Sequence, residues 1–336
     1  MKVCIIGAGA IGGIIGTRLA AAGRADVSAL ARGATLVALR QHGWRLRLGE
    51  ALVQKQARVS DDARDLGEQD LVVVAVKGPA LAGVARAIGP LLGTHTVVLP
   101  AMNGVPWWFG FGVHALGDAP LESIDPGGRI ASAIDQRRVV GCVVHMNAAS
   151  PAPGLVQHKM GNGLIIGEPG GESEGQISER VRRIGDLFGH AGFEVTLSPR
   201  IRHDIWYKLW GNMTMNPVSA LTGATADRVL DDVLVRTLCT SAMAEAATIG
   251  ARIGCAIAQT PEERHLITRK LGSFKTSMLQ DVEAGRPIEL DDIVTAVHEI
   301  GRRTGVPTPH IDAILGLTRL FGRVRGLYPE GPAQAR

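Results

Sequence analysis

An α/β domain followed by an all-α domain is the fold class that the sequence predicts. Three observations carry it. Residues 3–6 form a short apolar run that breaks at Gly7-x-Gly9-x-x-Gly12. Apolar strands and helical patterns then alternate as far as residue 198. Beyond Pro199 the periodicity is helical nearly to the end. Strands alternating with helices argue for a parallel sheet covered by helices, and a following run of helices argues for a second domain. The expected division is residues 1–198, then 199–325, with 326–336 as a loose tail.

The opening stretch organises the rest. A buried parallel strand reads as a continuous apolar run, and Val3 to Ile6 is one. The glycines follow at once, and an Ala/Leu/Ile-rich helix runs from them to about Ala22. Strand, tight turn and helix in that order are the context a dinucleotide fingerprint needs, so the first domain is expected to be Rossmann-like. Gly7 allows the turn, Gly9 lets the backbone approach a pyrophosphate, and Gly12 lets the helix pack close to the strand. The helix N-terminus, with Ala8, Ala10 and Ile11 between the glycines, then offers N–H groups to the phosphates.

The end of the second strand bears on which nucleotide is bound. An NAD site has an acid about twenty residues after the glycines, at the end of that strand. Here the strand, residues 25–31, ends in Leu30-Ala31-Arg32-Gly33, and Asp26 lies at its wrong end. Arg32 suits a 2′-phosphate, which a guanidinium binds through two parallel hydrogen bonds. NADPH is therefore the expected cofactor.

Further along, residues 34–41 read as a helix and 44–59 as an edge hairpin with Arg45, Arg47 and Arg58. Residues 70–76 form a strong buried strand with Lys77 at its carboxyl end. Residues 80–88 read as a helix and 96–100 as the next strand, with Asn103-Gly104 just beyond. Ligands of open α/β sheets bind outside the carboxyl ends of the strands, which places Lys77 and Asn103 beside the cofactor. Each also has a plainer reading, as a solvated strand-end lysine and a turn asparagine. The aromatic run Trp107-Trp108-Phe109, within residues 106–128, reads as a flap over a substrate, as core, or as an interface. Strands are expected at 139–144, 163–166 and 193–197, with an amphipathic helix at 177–190. Helices are then expected at 201–215, 230–249, 261–283, 290–303 and 310–321.

Composition narrows the function classes. At 336 residues and 46% hydrophobic, the chain can bury two cores. A net charge of +4 without a basic tract suits anionic ligands and argues against nucleic acid. Cys4, Cys142, Cys239 and Cys255 are scattered with no CxxC pair. They are expected as reduced, buried thiols, with no disulfide or metal site. No signal peptide and no membrane span are expected, and hence a cytoplasmic location. The long apolar helices suit a homodimer and a monomer's core equally well.

In the second domain, Lys208, Asn212 and Asn216 recur four residues apart. On a helix such residues form one stripe that drifts by about forty degrees at each step. Ile205 and Leu209 line an adjacent stripe that is expected to be buried. A lysine and two amides on one face can bind a carbonyl and a polar substrate; asparagine is a poor helix former, so two here ask for a reason. Later, Ser277 falls on a helix and Glu289 just after a turn. Glu289, Asp291 and Asp292 also read as helix N-terminal acids that favour the dipole.

Together these motifs resemble the ketopantoate reductase (2-dehydropantoate 2-reductase) family, from the first residue to about Phe321. Four places carry the resemblance: Lys2 to Gly12, the Asn103-Gly104 turn, the Trp206-Tyr-Lys-Leu helix with Asn212 and Asn216-Pro217, and Ser277-Met-Leu-Gln-Asp281 with Glu289-Leu-Asp291. The resemblance implies NADPH-dependent reduction of ketopantoate to pantoate, in pantothenate biosynthesis. It implies that Arg32 holds the 2′-phosphate and that Lys77 and Asn103 contact the cofactor. It makes Lys208 the proton donor and has Asn103, Asn212, Asn216 and Ser277 bind substrate. It puts Glu289 between cofactor and substrate, in a catalytic and cofactor-contacting role. Two departures open the alternative of another small 2-oxo acid. A further asparagine of the family, ten residues beyond Asn216, falls on Ala226, and the aromatic stretch after Asn103 is longer than in compact members. A dehydrogenase of the 6-phosphogluconate or 3-hydroxyisobutyrate type also pairs a Lys with an Asn one helical turn apart. A phosphosugar would call for an Arg/Lys cluster, which is not obvious here. A non-catalytic NADPH sensor would have no use for Lys208 and Glu289 together.

Overall fold

The structure, a computed structural model, describes residues 1–170 and 176–330. Five strands form the first sheet: β1 (Lys2–Ile6), β2 (Asp26–Leu30), β5 (Arg58–Ser60), β6 (Gln69–Val74) and β7 (Leu92–Pro100). All run parallel, in the order β5-β2-β1-β6-β7. The turn after β1 leads into α1 (Ala10–Ala22), β2 is followed by α2 (Gly33–His42), and α3 (Leu81–Ala87) follows β6. This is the Rossmann-like arrangement that the glycine pattern predicts.

A second sheet was not foreseen at its full size. The expected hairpin forms as β3 (Trp44–Leu48) and β4 (Ala51–Lys55), with β4 at the sheet edge. It joins β8 (Gly141–Ala152), β9 (Leu155–Gly167) and β10 (Glu194–Ser198), in the order β10-β9-β3-β4 with β8 paired to β9. β8 and β9 are 12 and 13 residues long, well beyond the apolar cores read from sequence. Their outer halves are polar and partly exposed, so no apolar run marks them. α4 (Arg129–Ala133) precedes β8, and α5 (Glu179–His190) lies between β9 and β10, capped by the Ser178 hydroxyl. A single core of Val3, Ile5, Ile14, Leu19, Trp44, Leu164, Ile184 and Phe188 joins the strands and α1.

The helical part comprises α6 (Ile201–Thr222), α7 (Ala226–Asp231), α8 (Val233–Arg252), α9 (Pro261–Arg269), α10 (Ser277–Glu283), α11 (Ala296–Thr304) and α12 (Pro309–Val324). Several expected helices have different bounds, each for a local reason. α6 continues through Pro217 to Thr222, where residues 213–220 are all buried and packing offsets the missing N–H. Asp232 breaks the 230–249 pattern by capping α8, accepting from the N–H groups of Leu234 and Val235. The 261–283 pattern is cut at Gly272, which takes φ +63°, and Thr276 caps the new start at Ser277. A π turn at Asp291–Thr295 precedes α11.

The chain forms two compact units, one of residues 1–109 and 127–204, the other of 110–126 and 205–336. The linear division at 198/199 thus has no place for residues 110–126, which group with the helices. The reason lies on α11. Glu299 accepts from the N–H groups of Glu122 (3.0 Å) and Ser123 (2.8 Å) and from the Ser123 hydroxyl (2.6 Å). Arg303 donates to Glu299 (2.6 Å) and to the carbonyls of Ala119 (2.8 Å) and Pro120. Arg303→Met therefore takes the donor from the Ala119 and Pro120 carbonyls and the counter-charge from Glu299. It is expected to cost about 2 kcal/mol, as charged hydrogen bonds do, and to make 110–126 the first site of limited proteolysis.

One open reading is decided and one expectation is corrected. The aromatic run is not a flap: Trp107, Trp108 and Phe109 are fully buried. Trp108 packs on β8, where a Cβ on Gly141 would stand 3.0 Å from its ring. The first part of the supposed tail is not loose either. Leu327 is buried, its carbonyl accepts from Ile288 N–H, and the Tyr328 hydroxyl donates to Asp291 (2.6 Å). Residues 331–336 of that tail lie outside the described residues. The four cysteines are free and buried as expected, and burial pushes the Cys4 thiol up to about 11 and that of Cys239 to about 12. Among the described residues no helix is long and apolar enough to cross a membrane.

Candidate active site

Strand register fixes the candidate residues of the first unit. Ile6 pairs with Leu30 and with Val74, and Val74 pairs with Pro100. These four residues form one row across the carboxyl edge of the sheet. The positions singled out in sequence follow directly: Gly7 after β1, Arg32 after β2, Lys77 after β6 and Asn103 after β7. The sheet therefore opens all four from one edge, where open α/β sheets bind ligands.

The three glycines meet three distinct demands. Gly7 takes φ +90°, and a Cβ there would stand 2.6 Å from Val76 Cγ1 and 2.8 Å from the Ala75 carbonyl. A Cβ on Gly12 would lie 2.1 Å from the Gly7 carbonyl oxygen, so only glycine lets α1 pack this closely. A Cβ on Gly9 would meet nothing within 4 Å. Gly9 is exposed and is the N-cap of α1, where it supplies no side-chain acceptor. The first N–H groups of α1, from Ala10, Ile11 and Gly12, are thus available to an anion, reinforced by the helix dipole. Arg32 is exposed at the N-cap of α2, in extended backbone. Lys77 is exposed at the start of a short 3-10 turn, and Asn103 is half-buried in the turn that Gly104 closes with φ +84°. These residues fit a dinucleotide whose phosphates lie at the α1 N-terminus.

A separate set of candidate residues is on the helical unit. α6 carries the whole triplet in regular helix, so Lys208, Asn212 and Asn216 share a stripe. Ile205 and Leu209 are buried beside it, as the spacing requires. Trp206 and Trp210 fix the rotation of α6, donating their indole N–H groups to the α8 carbonyls of Ala246 (3.3 Å) and Met243 (2.7 Å). Lys208 and Asn212 are half-buried, and Asn216 is only 5% exposed, so the stripe deepens toward Asn216.

The remaining expected residues occupy different environments. Ser277 is the exposed first residue of α10. Glu289 is 9% exposed and precedes the π turn. Ala226, at the start of α7, is buried and donates its N–H to the Phe274 carbonyl (2.9 Å).

Two groups near these residues escaped sequence reasoning. Arg264 lies over the Tyr207 ring, 5.0 Å from its centroid, with Nε buried and unbonded. It packs closely on Gly211, where a Cβ would stand 3.0 Å from that nitrogen. Asp292 is the other: it reads as a helix-start acid in sequence, yet it is 6% exposed. The apolar residues that flank it, Leu290 and Ile293, were the one available signal.

Comparison with known proteins supplies the family. The family model Ketopantoate reductase PanE/ApbA matches residues 3–171, and Ketopantoate reductase PanE/ApbA C terminal matches residues 200–321. The chain belongs to the ketopantoate reductase family. It is 43% identical over 329 residues to a 2-dehydropantoate 2-reductase of Mesorhizobium japonicum, which covers 98% of this chain and 100% of that one. Among solved structures it is similar to a candidate ketopantoate reductase from Ralstonia solanacearum MolK2. That match has 55% identity and a TM-score of 0.92, over 97% of this chain and 99% of that one. A PanE/ApbA family ketopantoate reductase from Ralstonia eutropha JMP134 is 25% identical with a TM-score of 0.82, over 97% and 100%. Membership of the ketopantoate reductase family makes the chain an oxidoreductase acting on CH–OH groups, dependent on a pyridine nucleotide and specific for a small keto acid.

Proposed function

We propose that this protein is an NADPH-dependent 2-dehydropantoate 2-reductase, reducing ketopantoate to pantoate for pantothenate biosynthesis. The observation that carries the reading is the α6 stripe of Lys208, Asn212 and Asn216, in a chain whose sheet edge fits a dinucleotide. NADPH, when bound, supplies the hydride that reduces the 2-oxo carbon. The α1 N-terminus with Gly7, Gly9 and Gly12 binds its pyrophosphate, and Arg32 its 2′-phosphate. Lys77 and Asn103 hold its remaining polar groups, and Glu289 contacts both cofactor and substrate. Lys208 hydrogen-bonds the 2-oxo oxygen, stabilises the charge that develops there and gives up a proton to it. Hydride on carbon and proton on oxygen together make the 2-hydroxy acid. Asn103, Asn212 and Asn216 orient the substrate oxygens, and Ser277 binds the carboxylate.

Loss of NADPH absorbance at 340 nm with ketopantoate, beside other 2-oxo acids and an NADH control, tests the reading. Turnover of ketopantoate with NADPH in preference to NADH is expected. Arg32→Met is expected to raise the KM for NADPH at least tenfold, about 1.4 kcal/mol, and to leave that for NADH unchanged. An equal effect on both nucleotides would remove Arg32 from the 2′-phosphate. One observation favours a second substrate. Residue 226 is a buried methyl where the family resemblance calls for an amide, so a related 2-oxo acid with one polar group fewer is the alternative. Faster turnover of such an acid than of ketopantoate would move the substrate and keep the mechanism.

A further inference from the structure

We infer that Arg264 is a substrate-binding residue, the cation that pairs with the carboxylate of the 2-oxo acid and so selects acids over their neutral counterparts. The inference rests on the reading of the α6 stripe given above.

The residues assigned to the substrate leave a charge unmet. A 2-oxo acid is an anion at neutral pH. Of Asn103, Lys208, Asn212, Asn216, Ser277 and Glu289, only Lys208 is a cation, and it serves the 2-oxo oxygen. A hydroxyl and amides can bond a carboxylate but bring no positive charge to it. The carboxylate is attached directly to the 2-oxo carbon, so its counter-charge must stand close to Lys208.

Arg264 meets that condition. It lies on α9, with its guanidinium over the Tyr207 ring, 5.0 Å from the centroid. A Cβ on Gly211 would stand 3.0 Å from its Nε and 3.1 Å from its Nη2, so this edge of the guanidinium rests on α6. Gly211 follows Lys208 by three residues in regular helix, and residues at that spacing are surface neighbours. Gly211 lies about sixty degrees round α6 from Lys208. That is the side away from the buried Ile205 and Leu209. Arg264 thus flanks the stripe where it is less buried.

The packing fixes this placement. The Tyr207 hydroxyl donates to Gln259 (2.6 Å), which holds the ring. His265 is 5% exposed and bonds Thr240 of α8 (3.0 Å), which sets the rotation of α9. An arginine on a surface tyrosine ordinarily keeps its charged head in water. Here Nε is buried and has no hydrogen-bond partner among the described residues. The acids beside it on α9 serve otherwise. Glu263 accepts from the Thr260 N–H (2.8 Å) in a capping box, and Glu262 is exposed. No carboxylate among the described residues pairs with Arg264. The edge of Nη1 and Nη2 remains for an acceptor, and it can take a carboxylate through two parallel hydrogen bonds. A guanidinium already stacked on a ring loses little freedom when it binds.

The test compares the 2-oxo acid with its carboxamide, which keeps the 2-oxo group and lacks the charge. Wild type is expected to show the higher kcat/KM with the acid. Arg264→Met keeps an apolar stem on Tyr207. It is expected to raise the KM for the acid about thirtyfold, the weight of a charged hydrogen bond. The kcat, the KM for NADPH and the turnover of the carboxamide stay near wild type. The acid-to-carboxamide ratio of kcat/KM therefore falls about thirtyfold. Arg264→Lys keeps the charge and loses the fork, so its ratio is expected to fall between the two. A merely structural arginine would lower both substrates together, and an unchanged ratio in the variants would overturn the inference. A raised KM for NADPH with an unchanged ratio would assign Arg264 to a cofactor phosphate and also overturn it.

A second readout needs no turnover. Oxamate has a carboxylate next to a carbonyl and is not reduced. In calorimetric titration of the NADPH-loaded protein, it is expected to bind Arg264→Met at least tenfold more weakly than wild type. Equal binding would overturn the inference. Weakened binding in a protein that reduces no 2-oxo acid would uphold the carboxylate site and count against the assigned reaction.

Discussion

Lys208→Met is expected to lower kcat by about a thousandfold, the range of a lost general acid, with NADPH still bound. The argument begins in the packing of α6. Ile205 and Leu209 are buried on one side, and the indoles of Trp206 and Trp210 are tied to α8 by hydrogen bonds. The helix cannot rotate without breaking these contacts, so the Lys208 stripe has one direction. Methionine has nearly the same length and keeps the packing, so the loss reads the ammonium and not the fold. Lys208→Arg separates the two parts of the role. A guanidinium keeps the positive charge but does not give up a proton at any working pH. If proton delivery is the larger part, Lys208→Arg falls nearly as far as Lys208→Met. Recovery of most of the rate by arginine would leave Lys208 as a charge stabiliser only. Near-normal turnover in both variants would remove it from the chemistry.

What could be read from the sequence follows the range of the interactions involved. The glycine fingerprint was legible because its three glycines fall within twelve residues, directly after an apolar strand. Gly7 and Gly12 constrain each other across one turn, as the 2.1 Å approach shows. Arg32, Lys77 and Asn103 were legible through topology, since each follows the carboxyl end of a strand that could be recognised by its apolar run. The α6 stripe needed only helical periodicity. What was missed depends on distant partners. Glu299 holds Ser123 across 176 residues, so nothing local in 106–128 told a flap from a strap tied to α11. The second sheet pairs Arg45 of β3 with Leu155 of β9, and neither strand shows an apolar run along its whole length. Asp291 and Asp292 are identical in type and adjacent. Their difference, one bonded to the Tyr328 hydroxyl and one buried, depends on partners that lie far along the chain.

The glycines at 9 and 12 are expected to fail in different ways when each is replaced by alanine. Gly12→Ala places a Cβ 2.1 Å from the Gly7 carbonyl oxygen, with Ile5 Cγ2 at 3.0 Å and Ala75 Cβ at 3.1 Å. The closest neighbour is backbone, which cannot turn aside as a side chain does. α1 must move away from β1, at a cost of about 3 kcal/mol, the upper range for overpacking. Gly12→Ala is therefore expected to lower Tm even without nucleotide. Gly9→Ala meets nothing within 4 Å, and its φ of −80° is ordinary for alanine. Alanine is a poorer N-cap than glycine but restricts the unfolded chain, and these effects, each below about 1 kcal/mol, oppose one another. The Tm of free Gly9→Ala should thus stay close to wild type. Its methyl stands where the pyrophosphate must approach the backbone, so the Kd for NADPH is expected to rise at least tenfold, about 1.4 kcal/mol. Thermal unfolding with and without NADPH reads both effects at once. Wild type gains stability with nucleotide, Gly9→Ala starts level but gains little, and Gly12→Ala starts low. A normal gain in Gly9→Ala would mean that the nucleotide phosphates do not approach the backbone at Gly9, and the reading of the α1 N-terminus would have to be given up.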